Sequence, residues 1–523
     1  MSLSAKKIII IGAGMGGLAA AIRLTAAGLD VMVVEAQAEP GGKMRAQPTQ
    51  AGPVDAGPTV LTMRAVFDDL FEAAGTSLDD WVTLRRAPLL ARHFWPDGST
   101  LDLFNDSDRS AEAVAAFAGP RAAAQFRAFD ARTSRLFDGF DGPIMQAPAP
   151  GLGELALHVA ARPRLLAALG RPGATMTDLL TQSFDDPRLR QLFGRYATYV
   201  GGSPYAAPAL LALIWQAESA GVWAVDGGMH RLAVAMADLA ARLGASIQYG
   251  AKVLRIEQQS GRIAAIHLSD QTRITADYVV FNGDPRALAE GFLGDAPRQA
   301  VEPRASEPRS LSANVWSFAA TPSGAELAHH NVFFGADPRT EFDPISRGLL
   351  PEDPTLYVCA QDRAGGATPN DQERFEIIMN APPLPGGAPE DTEACRTRTF
   401  PILKARGLRF SPEPPDSALT TPLGFDTLFP GSQGSLYGRS PHGMLAAFAR
   451  PTAKTSLTGL YLAGGGTHPG AGVPMAALSG RHAAAAILTD LASTSRFRRT
   501  ATPGGMSTRS ARMVPAPSRS SLS

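Results

Sequence analysis

Gly12, Gly14 and Gly17 stand in the spacing GxGxxG within KKIIIIGAGMGGLAAAI, and Glu35 closes the next apolar run, DVMVVEA, 18 residues further on. Each residue type has a task toward a dinucleotide. Gly12 permits a tight turn, Gly14 lets backbone approach a pyrophosphate, and Gly17 allows a helix to pack closely on a strand. The amides at the helix start attract phosphate. A carboxylate at Glu35 accepts both ribose hydroxyls of an adenosine. A lone GxGxxG says little in a chain with 52 glycines. Strand, loop, helix and acid in that order say much more, and they draw Ala13, Gly16 and Ala36 into the same candidate site. NAD and FAD both remain open on these residues. AQAEPGGKMRA follows, placing the pair Gly41 and Gly42 with Lys43 and Arg45 where they can wrap a second side of the pyrophosphate. Solvated charges are the plainer alternative for each cation.

A second strand, glycine cluster and small-residue helix comes late, in TGLYLAGGGTHPGAGVPMAALSGRHAAAAI. Pro474 suits a first helical turn, and the helix is expected to point its positive end at an electron-rich edge of the bound cofactor. Gly465, Val473 and Met475 are candidate cofactor contacts there. His468 is the candidate catalytic base beside that edge, with backbone hydrogen bonding as its alternative role. For His442, Glu218 and His230 structural hydrogen bonding is the usual explanation. Trp215, Trp223, Tyr199 and Tyr205 are able to line an apolar tunnel, although aromatics in helices more often form core. No Ser-His-Asp arrangement, metal cluster or paired-carboxylate motif stands out. Cys359 and Cys395 form no CxxC and have no adjoining histidine cluster in the sequence, so neither a disulfide framework nor a zinc site is expected. A reducing cytosol fits.

AQAEPGGKMRA, continued by VDAGPTVL (54 to 61), resembles the two-dinucleotide-binding-domain flavoproteins. That resemblance implies FAD, with Gly57, Pro58, Thr59 and Val60 passing under the flavin and Val253 meeting the adenine. GTHPGAGVP after an apolar strand resembles the C-terminal signature of the bacterial phytoene-desaturase-type carotenoid desaturases. The likeness extends through DPRLRQLFGRYATYVGGSPYAAPAL, ESAGVWAVDGGMHRLAVAMADLAARLGASI and ADYVVFNGDP. LALIWQAE and GGGTHPGAGVPMAALSGRHAA are similar to the 1-hydroxycarotenoid 3,4-desaturases of phototrophic bacteria. The implied reaction is FAD-dependent introduction of a C3–C4 double bond into a 1-hydroxy or 1-methoxy acyclic carotenoid such as hydroxyneurosporene. Oxygen or a quinone is the implied terminal electron acceptor. Alternatives on the same scaffold are a phytoene or neurosporene desaturase, a flavin-dependent carotenoid isomerase and a non-enzymatic lipid-binding escort. In one respect the chain departs from the wider superfamily: many members follow the last-strand glycine with an acid, whereas this chain has Gly464, Gly465 and Gly466.

Positioning these residues takes a large protein. At 523 residues, and with about 100 to 200 residues per domain, two or three domains are expected. The expected fold class is α/β: a Rossmann-like FAD-binding domain of amine-oxidase type, with a mixed-sheet substrate domain and a helical subdomain. The FAD-binding domain is expected in three parts, 1–85, 223–299 and 451–491. The substrate domain takes 86–110 and 300–450, and the helical subdomain 111–222. Residues 492–523, with six arginines and no acid, read as a disordered tail. Lys plus Arg equals Asp plus Glu at 49 each, so no basic field gathers nucleic acid. Only six of those basic residues are lysine, which reads as genomic compositional bias. Lys6 and Lys7 before an apolar run superficially resemble a signal peptide, but the glycine spacing argues otherwise. No apolar run approaches the roughly 20 residues that span a bilayer. Residues 147 to 173 carry leucines at helical offsets with several arginines, suiting either a membrane interface or packing on the protein's own domain. The expected location is cytoplasmic with peripheral membrane association, and the expected partner a lipophilic carotenoid.

Overall fold

The computed structural model describes residues 6–366, 369, 372–384 and 391–500. Strand β1 (Lys7–Ile11), helix α1 (Met15–Ala26) and strand β2 (Asp30–Val34) open the chain. Strands β3 (Ser246–Gln248), β4 (Tyr278–Phe281) and β5 (Leu460–Leu462) then return from far along the sequence. All five pair in parallel in the order β5-β4-β1-β2-β3. KIIII, DVMVV and YVVF are nearly continuous apolar runs because both faces of the sheet are covered, one by helices and the other mainly by the antiparallel strands Val253–Gln259 and Arg262–Leu268. Ile8, Ile9 and Ile10 are accordingly fully buried. The glycine loop leaves the carboxyl end of β1 between β4 and β2, the crevice where open parallel sheets bind ligands.

Helix α2 (Val473–Thr500) packs along α1. Small residues make this possible: a Cβ on Gly480 would sit 2.2 Å from the Gly16 carbonyl oxygen, and one on Gly16 would sit 2.5 Å from the Gly464 nitrogen. Gly17 is equally constrained, since its Cβ would lie 2.1 Å from the Gly12 oxygen. Helix α2 runs nine residues past the 491 boundary expected from sequence, and 501–523 of the expected disordered tail lie outside the described residues.

An eight-stranded mixed sheet is built mainly from residues 312–420, and the hairpin Leu89–Phe94 and Thr100–Phe104 completes one edge. Strand alternation sorts its side chains. Trp316, Phe318, Leu356, Val358, Phe375, Ile377 and Met379 form a core with Phe400, Leu403 and Phe410 on one side, which leaves Val315, Ser317, Tyr357, Cys359, Glu376, Ile378 and Asn380 on the other. Between these units lies a set of alanine- and leucine-rich helices, among them Pro120–Phe140, Leu152–Ala160, Pro163–Leu169 and Met176–Ser183. Their core stacks Phe126, Phe129, Phe184 and Phe193 around Trp215.

Candidate active site

A cavity of about 1380 Å³ starts at the glycine loop and extends between the eight-stranded sheet and the helices. At its polar end α1 begins at Gly14, which is extended and supplies no side-chain cap, so the first amides are free to meet phosphate. Glu35 is buried at the end of β2, where its carboxylate accepts the Ala13 amide at 2.6 Å and the Gln37 amide at 2.8 Å. Those bonds fix its orientation and leave lone pairs for further donors. Gly41 donates its amide to the Ala13 carbonyl at 2.9 Å, which sets the second glycine pair against the first loop. Lys43 Nζ donates to the Leu436 carbonyl at 2.6 Å, and burial pushes its pKa down to about 8. A Cβ on Gly57 would lie 2.0 Å from the Lys43 carbonyl oxygen, so glycine alone permits that crossing.

Of the residues expected at a cofactor, Gly12, Gly14, Gly16, Glu35, Ala36, Gly42, Lys43, Gly57, Pro58, Thr59, Val60, Val253, Gly465, Val473 and Met475 all face this one cavity. Ala13, Gly17 and Arg45 do not line it. Ala13 holds Glu35 in place and Gly17 backs the turn. Arg45 is drawn aside, donating to Thr420 Oγ1 at 2.8 Å and lying over the Phe425 ring. A dinucleotide fits the assembled wall: two side-chain-free loops, an uncapped helix start and a preoriented carboxylate converge on one elongated space.

His468 is placed differently from a base. Its ring is 2 % exposed, with Nε2 at 2.8 Å from the Ala147 carbonyl oxygen, and it stacks on His482 away from the cavity wall. Burial lowers its pKa. It ties the loop after β5 to the segment before helix Leu152–Ala160, which is the structural role the sequence left open. The other titratable candidates are also engaged. His442 Nε2 accepts the Ser203 amide, His230 Nε2 pairs with the Pro40 carbonyl, and Glu218 accepts from the hydroxyls of Tyr196 and Tyr199. Among Trp215, Trp223, Tyr199 and Tyr205, only Tyr199 lines the cavity; Trp215 is fully buried core, donating to Asp130.

Several residues escaped the sequence reading because their partners lie far along the chain. Asn282, at the end of β4, donates to the Gly12 carbonyl at 3.1 Å and touches the positions of Gly14, Gly16 and Gly464. Buried Arg450 grips the carbonyls of Gly465 and Tyr437 at 3.0 and 2.9 Å, bracing the glycine cluster after β5. Asp55 accepts the amides of Met229 and His230, capping the start of helix His230–Arg242. The Cys359 thiol also lies beside two histidines, His329 and His330, that strand pairing brings across to it. Their rings are held by the Ala360 carbonyl and the Tyr357 hydroxyl.

Beyond the glycine loops the cavity wall turns apolar, with Phe137, Phe140, Leu155, Val159, Leu169 and Ile214 from the helices and Phe425 and Phe429 opposite. Polar exceptions are few, chiefly Arg195, Tyr199, Tyr357, Glu376 and Asn380. Such a space suits a long hydrocarbon presented end-on to a cofactor.

Comparison with protein families matches residues 15–321 and 401–488 to the flavin containing amine oxidoreductases. Hydroxyneurosporene desaturase of Cereibacter sphaeroides is 59% identical over 490 residues, covering 94% of this chain and 99% of that protein. The protein of the same name from Rubrivivax gelatinosus is 46% identical, covering 97% and 98%. Among solved structures, cyclohexylamine oxidase from Brevibacterium oxydans superposes with a TM-score of 0.55 at 20% identity, over 93% of this chain and 99% of its own. An oxidoreductase from Methanosarcina mazei gives 0.57 at 16%, over 92% and 100%. These last two speak for the fold.

Proposed function

The chain belongs to the flavin-containing amine oxidoreductase family, and from that premise we propose that it is an FAD-dependent carotenoid desaturase acting on hydroxyneurosporene or a close 1-oxygenated acyclic relative, forming the C3–C4 double bond. The full-length likeness to hydroxyneurosporene desaturases supports the reading. The observation that carries it within this molecule is the single cavity joining the dinucleotide-type glycine wall to an apolar lining.

Gly12, Gly14, Gly16, Glu35 and Gly42 would hold the FAD, with Gly465, Val473 and Met475 toward its ring end. Bound flavin supplies a two-electron acceptor for the hydride leaving an allylic carbon, while the adjacent carbon gives up a proton. The side chains orient and exclude water. Phe137, Phe140, Leu155 and Ile214 align a rigid polyene along the cavity, so little ordering remains for the reactive encounter. Delocalisation along the polyene lowers the demand on acid–base groups, in keeping with a wall that offers few of them.

The substrate class is lipophilic, and the cavity rim offers a route for it. Leu152, Leu166, Met444 and Leu445 line the cavity while each is at least half exposed, and Leu157 beside them is 74% exposed. Among the described residues no helix is long and apolar enough to cross a membrane. The proposal is therefore peripheral contact at this rim, with reducing equivalents passing on to oxygen or a quinone. Anaerobic mixing of the holoprotein with 1-hydroxyneurosporene tests the reading. Flavin absorbance should bleach while the polyene band moves to longer wavelength. A geometric change without added conjugation would favour an isomerase, and purification without flavin would favour a lipid escort.

A further inference from the structure

The sheet bordering the cavity carries a polar row that desaturation chemistry does not use. Strand register sets Ser317 opposite Glu376, Glu376 opposite Cys359, and Cys359 opposite His330. All four are buried, and Glu376 forms part of the cavity wall. Among the described residues, neither Glu376 oxygen nor Ser317 Oγ has a hydrogen-bond partner. An unpaired buried polar group costs on the order of 1–3 kcal/mol, so a carboxyl kept unpartnered among the few polar groups of this wall points to a partner that arrives with a ligand. Burial, followed by the charge of Asp55, pushes its pKa well above the usual carboxyl range, and Arg45 opposes this only in part. That direction favours the protonated form, which offers one donor and free acceptor positions.

We propose that Glu376 is the residue that recognises the C1 oxygen of the carotenoid, an assignment that rests on the desaturase reading above. A substrate of this class is hydrocarbon apart from that oxygen, so one polar partner suffices to choose the end and the register that enter. The oxygen lies three bonds from C3, on the order of 4 Å, so its partner must stand close to the reacting carbons. Strand register sets Glu376 opposite Cys359, two residues from Tyr357. Tyr357, one strand over, shares a 2.7 Å hydrogen bond with Thr59 in the Gly57–Val60 stretch of the glycine-rich wall. Both carboxyl oxygens are buried at the wall, and the broad terminal torsion of the side chain leaves their orientation adjustable. A neutral carboxyl donates to an alcohol or an ether alike but accepts only from the alcohol, which predicts hydroxyl, then methoxyl, then bare hydrocarbon as the order of preference.

The test compares holoenzyme, Glu376→Leu and Glu376→Gln on 1-hydroxyneurosporene, 1-methoxyneurosporene and neurosporene, with FAD content matched. Glu376→Leu should lower kcat/KM for the hydroxylated substrate by roughly 10- to 100-fold more than for neurosporene, and melt no lower than the parent, since it removes an unpaired group. Glu376→Gln, which keeps a donor and an acceptor, should restore most of the preference. Equal loss on all three substrates, or an unchanged preference order as a buried water on Glu376 would give, overturns the assignment while the desaturase reading stands. A parent enzyme that desaturates neither oxygenated substrate overturns both. Glu376→Met provides the apolar variant if the leucine protein does not fold.

Discussion

A histidine acts as a base only when a ring nitrogen reaches the proton it must remove. His468 spends its Nε2 on the Ala147 carbonyl and is stacked on His482 outside the cavity wall. Loss of a positioned general base lowers turnover on the order of 10²- to 10⁴-fold. Glutamine at 468 can still donate to that carbonyl, so His468→Gln should keep kcat within about threefold of the parent. A hundredfold fall in single-turnover flavin reduction, with FAD content intact, would return His468 to a catalytic role. The contrast with the glycines is instructive. Gly12 sits at φ +100°, a conformation that side chains rarely adopt, and Gly17 leaves no room for a Cβ. Such constraints act within a few residues and can be read from spacing. Asn282, Arg450 and Glu376 draw their meaning from partners or neighbouring strands remote in sequence, so no local pattern announces them.

At the scale of elements, the seam between α1 and α2 is what brings the late glycine cluster to the early one. Gly480 is the tightest point of that seam, where an added methyl would meet the Gly16 oxygen at 2.2 Å and Ala19 Cβ at 2.9 Å. Both helices are held by their strands, so the clash has little freedom to relax, and overpacking of this kind costs about 1–3 kcal/mol. Gly480→Ala should therefore lower the thermal midpoint and loosen FAD, because Gly16 faces the cavity from the same turn. Gly153 is the matched control: it lies in helix Leu152–Ala160 with no atom within 4 Å of an added Cβ. Alanine there should be neutral or slightly stabilising. Equal midpoints and equal flavin retention for both variants would count against a seam that governs the site. The alternation of strand β1, helix α1 and strand β2 was legible because hydrophobic runs and glycine punctuation mark each boundary. The end of α2 was not, since Ala492, Ser493 and their neighbours lack the apolar period that sequence reading follows and yet continue the helix to Thr500.

For the whole molecule, the balance of charge offers no general attraction to an anionic surface, so the peripheral contact proposed above would draw on local features of the rim. Leu157 projects from helix Leu152–Ala160 at 74% exposure, beside rim residues that also line the cavity, while Arg162 and Arg164 follow on the exposed side of the same region. Burying a leucine side chain stabilises by about 1.5–3 kcal/mol, enough for one residue to change partitioning by an order of magnitude or more. Leu157→Asp should thus weaken co-sedimentation with phospholipid vesicles by at least about tenfold. Turnover of carotenoid supplied in detergent micelles should be unchanged, because Leu157 is not part of the cavity wall. Leu349 supplies the comparison, being 56% exposed and likewise outside the wall but in a different part of the fold. Leu349→Asp should leave vesicle binding as it was. Equal weakening by both substitutions would mean that lipid contact is spread over the surface, and no weakening by either would remove the rim as the point of attachment.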